Sequence, residues 1–251
     1  MKKINLNKLD GIIWDMDGVL VDVRLSYRNT ILKTVEFFCP KLKITMKDVN
    51  AIKQVVGLNN DWDASYALIL LKTNAITNTA KFVNNLGKYR KKKEYVKVVD
   101  VFQSYFLGNQ LYKQCYQRDA VIPIKSGLIN LESLLIPVKK LKQMKKKYGK
   151  MGIATGRPKF EAEYSLNKFK IRNLFDCVVA LEDTKKWKPN PAPIIKVMDK
   201  LNLNKTIYIG DSPSDVEAAR KANIPCIYIG EQNIGDINFP NTYEFMKETI
   251  I

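Results

Sequence analysis

Residues 9–18 read LDGIIWDMDG and join a short, mostly apolar run to two carboxylates. The run from Leu9 to Trp14 predicts a buried strand of the kind found inside parallel sheets. Asp15-Met16-Asp17-Gly18 follows at once, so this strand delivers two acidic side chains at its C-terminal edge. Ligands of open α/β sheets bind at the C-terminal ends of the strands, and we therefore expect a functional site at this point.

The remaining sequence predicts the other parts of an α/β fold. After residue 150, apolar segments alternate with helical patterns, which is typical of βαβ units. These segments are residues 151–154, 177–181, 206–209 and 225–229. Together with the first strand they predict a Rossmann-like parallel five-stranded sheet core flanked by helices. Helical periodicity between the first two strands predicts an inserted all-helical cap domain. The expected division is 1–24 and 135–251 for the core and 25–134 for the cap.

Composition excludes several classes of protein. The 251 residues contain 42 Lys and Arg against 25 Asp and Glu, a net charge of +17, and no histidine. Mechanisms that need an imidazole are therefore excluded, and anionic partners are favoured. The four cysteines form no CxxC pair, which predicts reduced thiols. With no signal-peptide core and no apolar run long enough to span a membrane, we expect a cytoplasmic protein.

Asp15 and Asp17 point to a bound cation. Two carboxylates two positions apart at a strand end are costly to ionise together unless a positive charge or a shared proton relieves them. Asp211 follows another predicted strand, so its carboxylate is expected at the same sheet edge. An all-oxygen site of this kind favours Mg²⁺. The alternative is that Asp15 and Asp17 are turn residues beside Gly18.

Two further segments carry groups suited to phosphate. Thr155-Gly156-Arg157-Pro158 lies between a predicted strand and a helix, where a hydroxyl and backbone N–H groups hold anions well. An ordinary helix cap at Thr155 is the competing interpretation. Lys188, in Trp187-Lys188-Pro189, is a second candidate, although a lysine in so basic a chain is usually a solvated charge.

The segment Gly210-Asp211-Ser212-Pro213-Ser214-Asp215 opens a predicted helix. Ser212 and Asp215 fit a capping box with Pro213 in the first turn, which is a structural explanation for Asp215. Asp211 precedes the cap, at the strand end, and is the better ligand candidate.

Taken in order, these motifs resemble those of the haloacid dehalogenase superfamily, in the subfamily with a helical cap after strand one, which includes phosphoglycolate phosphatase and β-phosphoglucomutase-like members. The resemblance implies that Asp15 attacks phosphorus and forms an aspartyl-phosphate, while Asp17 serves as acid and then base. It implies phosphate contacts from Thr155, Gly156 and Lys188. It further implies Mg²⁺ held by Asp15, Asp211 and the Asp17 carbonyl, with Asp215 orienting the site.

The resemblance leaves several reactions open. Dehalogenases of this family lack an acid at the position of Asp17, so dehalogenation is disfavoured. Phosphonate cleavage needs a particular cap lysine, which this sequence does not identify. β-Phosphoglucomutase-like transfer is the main alternative, but such members carry a cap histidine that is absent here, and hydrolysis of a small phosphomonoester is favoured.

Substrate choice is assigned to the cap and the strand-end loops. The loop before Asn60 and Trp62 is a candidate for reaching the substrate, and a plain helix-helix turn capped by Asn60 is the alternative. Arg157 is a third substrate candidate. We expect a sugar phosphate or phosphorylated organic acid as substrate, no membrane association, and a monomer or homodimer.

The lysine-rich runs 139–147 and 89–93 raise a hypothesis of another class, a nucleic-acid-binding protein on a phosphatase-like core. Val138, Leu141 and Met144 recur at helical spacing within the first run, which predicts a core-docked helix with a lysine-coated outer face. We therefore do not expect a nucleic-acid partner.

Overall fold

The computed structural model describes residues 8–58 and 60–249. The chain divides into two compact units, one of Met1–Asp22 with Ser133–Ile251 and the other of Val23–Glu132. The strands are β1 (Gly11–Trp14), β2 (Val21–Asp22), β3 (Ser133–Leu134), β4 (Lys150–Ala154), β5 (Cys177–Val179), β6 (Thr206–Gly210), β7 (Cys226–Ile229) and β8 (Ile237–Phe239). The helices are α1 (Tyr27–Phe38), α2 (Met46–Lys53), α3 (Asp61–Lys72), α4 (Thr79–Val83), α5 (Leu86–Tyr89), α6 (Lys93–Tyr116), α7 (Val138–Tyr148), α8 (Lys159–Lys168), α9 (Ala192–Leu201), α10 (Pro213–Lys221) and α11 (Thr242–Thr249).

A six-stranded parallel sheet forms the centre of the first unit, in the order β5-β4-β1-β6-β7-β8. The predicted Rossmann-like parallel sheet is confirmed, but five strands was one too few. The additional strand, β8, has three residues, of which only Phe239 is buried. So short and half-exposed an edge strand has no apolar run from which it could be predicted.

The strand β1 occupies the middle of this sheet. It pairs with β4 on one side and β6 on the other, and all four of its residues are buried. Burial on both faces explains why its sequence is a nearly continuous apolar run. The chain order of the strands reverses at β1, which makes its C-terminal end the topological switch point at which ligands bind in such sheets.

Helices that follow the strands cover the sheet. On α9, Ile194 and Val197 lie one turn apart and are buried in the core with Tyr208 of β6. On α7, Leu141 and Met144 are buried while Lys142 and Lys146 are exposed. The predicted lysine-coated, core-docked helix is therefore confirmed.

The second unit consists of the helices α1 to α6, in agreement with the predicted helical character of the insertion. Its core includes stacked aromatic rings, with Tyr27 and Phe106 centroids 4.5 Å apart. The long helix α6 is broken at Gly108, which has a φ of 71°. In the chain, the unit lies between β2 and β3, which form a two-stranded antiparallel ladder in the first unit. That ladder is absent from the sequence prediction because two residues give no alternating pattern.

Two smaller expectations concern the chain as a whole. All four cysteines are free, as predicted. Within the described residues, no helix combines the length and the apolar composition that crossing a membrane requires.

Candidate active site at the C-terminal edge of the sheet

The candidate site begins where β1 ends. The Asp15 backbone N–H donates to the Ile209 carbonyl at 2.8 Å, which continues the pairing with β6 by one residue. Gly18 then turns the chain with a φ of +73°, and a Cβ at this position would lie 1.8 Å from Oδ2 of Asp211. A glycine is required here both by the backbone angle and by the approach of Asp211.

Three carboxylates converge at this edge. Asp15, Asp211 and Asp215 each offer an oxygen within 4.8 Å of the others. Asp15 and Asp215 are buried, with 6% and 0% of their surface exposed. Asp15 follows β1, whereas Asp211 and Asp215 flank the start of α10 after β6, so adjacent strands bring them together. The predicted convergence of Asp15 and Asp211 is present in the structure.

Lys188 joins two of these carboxylates. Its Nζ lies 2.8 Å from Oδ1 of Asp15 and 2.6 Å from Oδ1 of Asp215. The same Nζ donates to the Tyr208 hydroxyl at 2.8 Å. The Lys188 side chain is only 10% exposed. It is therefore not the solvated surface charge that the lysine-rich composition of the chain would favour.

Asp215 has two functions in the structure. It closes the predicted capping box of α10, because its backbone N–H donates to Ser212 Oγ at 3.3 Å and its Oδ2 accepts the Ser212 N–H at 3.1 Å. Its other oxygen, Oδ1, binds Lys188. The capping box of α10 therefore fixes a carboxylate that also belongs to the acidic cluster, and a role of Asp215 in orienting a metal site stays a prediction.

Burial and mutual repulsion shift the protonation of the cluster. Burial raises the pKa of Asp15 to about 7, and the Asp215 carboxylate adds to the rise. Burial, with Asp215 and Asp15 nearby, raises the pKa of Asp211 well above its usual value. Burial acts in the same direction on Asp215, but the Lys188 ammonium outweighs it and lowers the pKa of Asp215.

These charges fit a divalent cation. Three carboxylates share one ammonium, which leaves an excess of two negative charges when all are ionised. Burial is the main cause of the raised pKa values of Asp15 and Asp211, and the repulsion between the carboxylates adds to it. Carboxylate oxygens are the ligands of hard divalent cations, so the cluster has both the chemistry and the charge of a metal site.

The segment after β4 does not contain the helix N-cap at Thr155 that was the competing interpretation of this motif. The helix α8 begins at Lys159 with Pro158 as its N-cap residue, so Thr155 is not the cap. Instead, Thr155 Oγ1 accepts the Arg157 backbone N–H at 3.1 Å, within the turn. Thr155 is buried and Gly156 is exposed. Their roles in holding phosphate stay predictions.

Arg157 and Asp17 form an ion pair beside the cluster. The Arg157 Nε donates to Oδ1 of Asp17, and Nη1 donates to Ser165 Oγ at 3.0 Å. The Arg157 side chain is 0% exposed, whereas that of Asp17 is 33% exposed. The guanidinium of Arg157 is thus directed to Asp17, and a direct substrate contact by Arg157 stays a prediction.

The two cap candidates lie in the other unit. Asn60 is the N-cap residue of α3, and its side chain accepts the N–H groups of Trp62 and Asp63 at 3.0 and 3.1 Å. This is the helix-turn alternative foreseen for Asn60. Trp62 is half-buried in the first turn. Asn59 lies outside the described residues, and the substrate roles of Asn60 and Trp62 stay predictions.

Tyr208 was missed by the sequence analysis. Its hydroxyl lies 3.1 Å from both the Ala154 carbonyl and Oδ1 of Asp215, in addition to its contact with Lys188. In the sequence Tyr208 is an aromatic residue in a strand of otherwise apolar character, which is an ordinary core pattern. Only the sheet register shows that its hydroxyl reaches the site.

Comparison with known proteins finds relatives in sequence and in fold. A family model described as haloacid dehalogenase-like hydrolase matches residues 137–229. The chain is 28% identical to an imidazoleglycerol-phosphate dehydratase of Phytophthora nicotianae, over 85% of this chain but only 42% of that protein. It is 23% identical to a phosphoglycolate phosphatase of Colwellia psychrerythraea, over 89% of this chain and 85% of that protein.

A solved structure, phosphatase Tt82 from Thermococcus thioreducens, superimposes with a TM-score of 0.68 at 22% identity and covers 96% of this chain and 98% of that one. The parallel sheet with its acidic strand ends is that of an α/β protein, and the solved phosphatase has the same fold. Residues 137–229 match the haloacid dehalogenase-like hydrolase family, and the chain is similar over most of its length to a phosphoglycolate phosphatase.

Proposed function

We propose that this protein is a Mg²⁺-dependent phosphatase that hydrolyses a small phosphomonoester, either a sugar phosphate or a phosphorylated organic acid. One observation carries the proposal: the buried Asp15 carboxylate at the sheet switch point is paired with Lys188 beside two further carboxylates. A nucleophilic carboxylate, a fixed cation for phosphoryl oxygens and a candidate metal site are thereby combined. The similarity to a phosphoglycolate phosphatase supports a small acidic substrate.

Asp15 is the proposed nucleophile. One of its carboxylate oxygens forms a bond to phosphorus while the bond from phosphorus to the ester oxygen breaks, which gives an aspartyl-phosphate and an alcohol. Lys188, held 2.8 Å from Asp15, is placed to bind the transferring phosphoryl oxygens and to keep the carboxylate oriented. Thr155 and Gly156 are the proposed further phosphate contacts.

Asp17 is the proposed acid and base. It gives a proton to the departing ester oxygen, then takes a proton from the water that attacks the phosphorus of the aspartyl-phosphate. Attack by that water releases phosphate and restores the Asp15 carboxylate. No imidazole is needed, which agrees with a chain that contains no histidine.

Mg²⁺ is the cation we assign to the cluster, held by Asp15, Asp211 and the Asp17 carbonyl. When bound, it supplies positive charge that stabilises the phosphoryl oxygens in the transition state. Asp215 orients this group of ligands, because its own oxygens are engaged by Lys188 and by the capping box.

Phosphate release from a panel of esters tests the proposal. The panel contains phosphoglycolate, sugar phosphates, nucleotides and a nitrophenyl ester, each with Mg²⁺ or with EDTA. We expect turnover that requires Mg²⁺ and disappears in Asp15→Asn. The matched control is Asp199→Asn, which makes the same chemical change on the exposed face of α9 and should be fully active.

Failure of wild-type protein to release phosphate from any ester would contradict the proposal. Conversion of a sugar phosphate into an isomer, without free phosphate, would instead identify the β-phosphoglucomutase-like reaction. Full activity in Asp15→Asn would contradict the assignment of the nucleophile.

A further inference from the structure

Arg157 is a completely buried charged side chain beside the candidate site. Its side chain is 0% exposed, and its Nε and Nη1 donate to Asp17 Oδ1 and Ser165 Oγ. An arginine in such surroundings is costly unless an opposite charge and further hydrogen bonds compensate it. The Asp17 carboxylate supplies an opposite charge in direct contact with the Arg157 guanidinium.

The backbone of Arg157 is also fixed. Its N–H donates to Thr155 Oγ1 at 3.1 Å, and its carbonyl accepts the Leu181 N–H at 2.8 Å. Ser165, the anchor of Nη1, lies on α8 and is fully buried. Arg157 is thus held in the turn through its backbone, and its guanidinium is held by α8 through Ser165.

Asp17, by contrast, is partly accessible to solvent. Its side chain is 33% exposed, and Oδ1 is the oxygen that faces Arg157. A carboxylate that is anchored by a buried arginine and keeps part of its surface accessible is suited to exchanging a proton with a bound molecule. Proton transfer in catalysis depends on such placement, and a displacement of about 1 Å can cost about 100-fold in rate.

We infer that Arg157 is a positioning residue for Asp17, and that it holds this carboxylate at the leaving oxygen of the substrate ester. The inference rests on the proposed phosphatase function, in which Asp17 is the acid. It differs from the expectation that Arg157 contacts the substrate. Lys188 is the cation beside the nucleophile, whereas the guanidinium of Arg157 is directed to Asp17.

The inference predicts a dependence on the leaving group. An alkyl alcohol leaves as an alkoxide and needs a proton from Asp17, whereas nitrophenolate is stable without one. The ratio kcat/KM reports the steps up to formation of the aspartyl-phosphate, so it is not affected by the later attack of water. Disturbance of Asp17 should therefore lower kcat/KM for an alkyl phosphate much more than for the nitrophenyl ester.

The experiment compares the two esters in wild type, Asp17→Asn, Arg157→Lys and Ser165→Ala. Asp17→Asn should lower alkyl-phosphate kcat/KM by about 100-fold to 10,000-fold, the usual contribution of a general acid. Arg157→Lys keeps the positive charge but loses the planar guanidinium. It should lower kcat/KM for the alkyl phosphate by at least about tenfold, while kcat/KM for the nitrophenyl ester stays within about threefold of wild type. Ser165→Ala should also lower kcat/KM for the alkyl phosphate relative to kcat/KM for the nitrophenyl ester, but by a smaller factor.

Equal losses on both esters in Arg157→Lys, or no loss on either, would overturn the inference. If Arg157→Lys does not fold, the same criterion applies to Ser165→Ala, which retains the ion pair. An inactive wild type would contradict the proposed function itself. An active wild type with a selective Asp17→Asn but an unselective Arg157→Lys would contradict the role of Arg157 alone.

Discussion

The Tyr208 hydroxyl connects Lys188 to the sheet. It lies 2.8 Å from Lys188 Nζ and 3.1 Å from the Ala154 carbonyl, and the tyrosine is fully buried. Burial and the carboxylates of Asp15 and Asp215 raise its pKa well above the usual value, so it stays a neutral hydroxyl at ordinary pH. This residue therefore orients the lysine through hydrogen bonds and not through charge.

Replacement of Tyr208 by phenylalanine removes only that hydroxyl. We expect Tyr208→Phe to lower the free energy of unfolding by about 1.5–3 kcal/mol, the range for hydrogen bonds to charged groups. Urea denaturation measures this, and phosphatase activity should fall with it because Lys188 is less constrained. Tyr243→Phe, at a ring that is 65% exposed, is the control and should leave both unchanged. Wild-type stability in Tyr208→Phe would contradict the described role.

Gly18 is the second decisive residue at this scale. In Gly18→Ala the backbone angle costs about 1–2 kcal/mol of stability. The new Cβ would also meet Asp211, with 1.8 Å to its Oδ2, and must displace that carboxylate. In addition to the loss of stability, we expect weaker Mg²⁺ binding. A higher Mg²⁺ concentration should then be needed for half-maximal activity, as measured by activity against Mg²⁺ concentration.

The matched control for this change is Gly149→Ala. Gly149 has the same φ of +73°, but a Cβ there meets nothing within 4 Å. It should lose similar stability and keep the Mg²⁺ dependence of the wild type. Identical Mg²⁺ dependence in the two variants would show that Asp211 is not displaced.

At the scale of elements, the break in α6 depends on two glycines. A Cβ on Gly108 would lie 2.4 Å from the backbone nitrogen of Gly127, and Gly108 also has a φ of +71°. Strain and overpacking together should cost Gly108→Ala more than about 2 kcal/mol of unfolding free energy. Gly87→Ala, in α5 and with nothing within 4 Å, should instead be neutral or stabilise by up to about 1 kcal/mol. Urea denaturation that ranks the two variants equally would contradict this account.

The strands that carry the site could be predicted from the sequence because each is an apolar run followed by a polar residue. Asp15 and Asp211 were found in this way, whereas Lys188, which precedes a helix, was proposed only from the set of motifs as a whole. The structure places the three side chains together. The contact between Arg157 and Asp17 could not be predicted, since it depends on side-chain rotamers across 140 residues of chain. The ladder of β2 and β3 and the edge strand β8 were missed because they are too short to have a periodicity.

At the scale of the whole molecule, the division of the chain into two compact units supports a proposed division into domains. We propose residues 1–24 and 135–251 as the core domain and 25–134 as the cap. The compact units, Met1–Asp22 with Ser133–Ile251 and Val23–Glu132, differ from these boundaries by two residues at each junction.

A bound cation should stabilise the folded molecule as a whole. A ligand at about 100 times its dissociation constant adds about 2.7 kcal/mol, which corresponds to several degrees in Tm for a chain of this size. We expect Mg²⁺ to raise the Tm of the wild type, and EDTA to reverse the rise, in thermal unfolding followed by circular dichroism.

Asp211→Asn provides the comparison. It should lose most of the Mg²⁺ effect. Without metal, its Tm should equal or exceed that of the wild type, since one half-buried carboxylate that repels its neighbours is gone. A Tm of the wild type that does not respond to Mg²⁺, or an undiminished response in Asp211→Asn, would contradict the assignment of the metal site.

The central claim is that Asp15 carries the phosphoryl group during turnover. The most direct test is to mix the protein with a phosphomonoester that it turns over and Mg²⁺, to quench in acid within the first turnover, and to measure the mass of the protein and its peptides. The account predicts an added phosphoryl group on the peptide that contains Asp15, and none in Asp15→Asn. Turnover without any phosphoryl adduct, or an adduct on another residue, would contradict it.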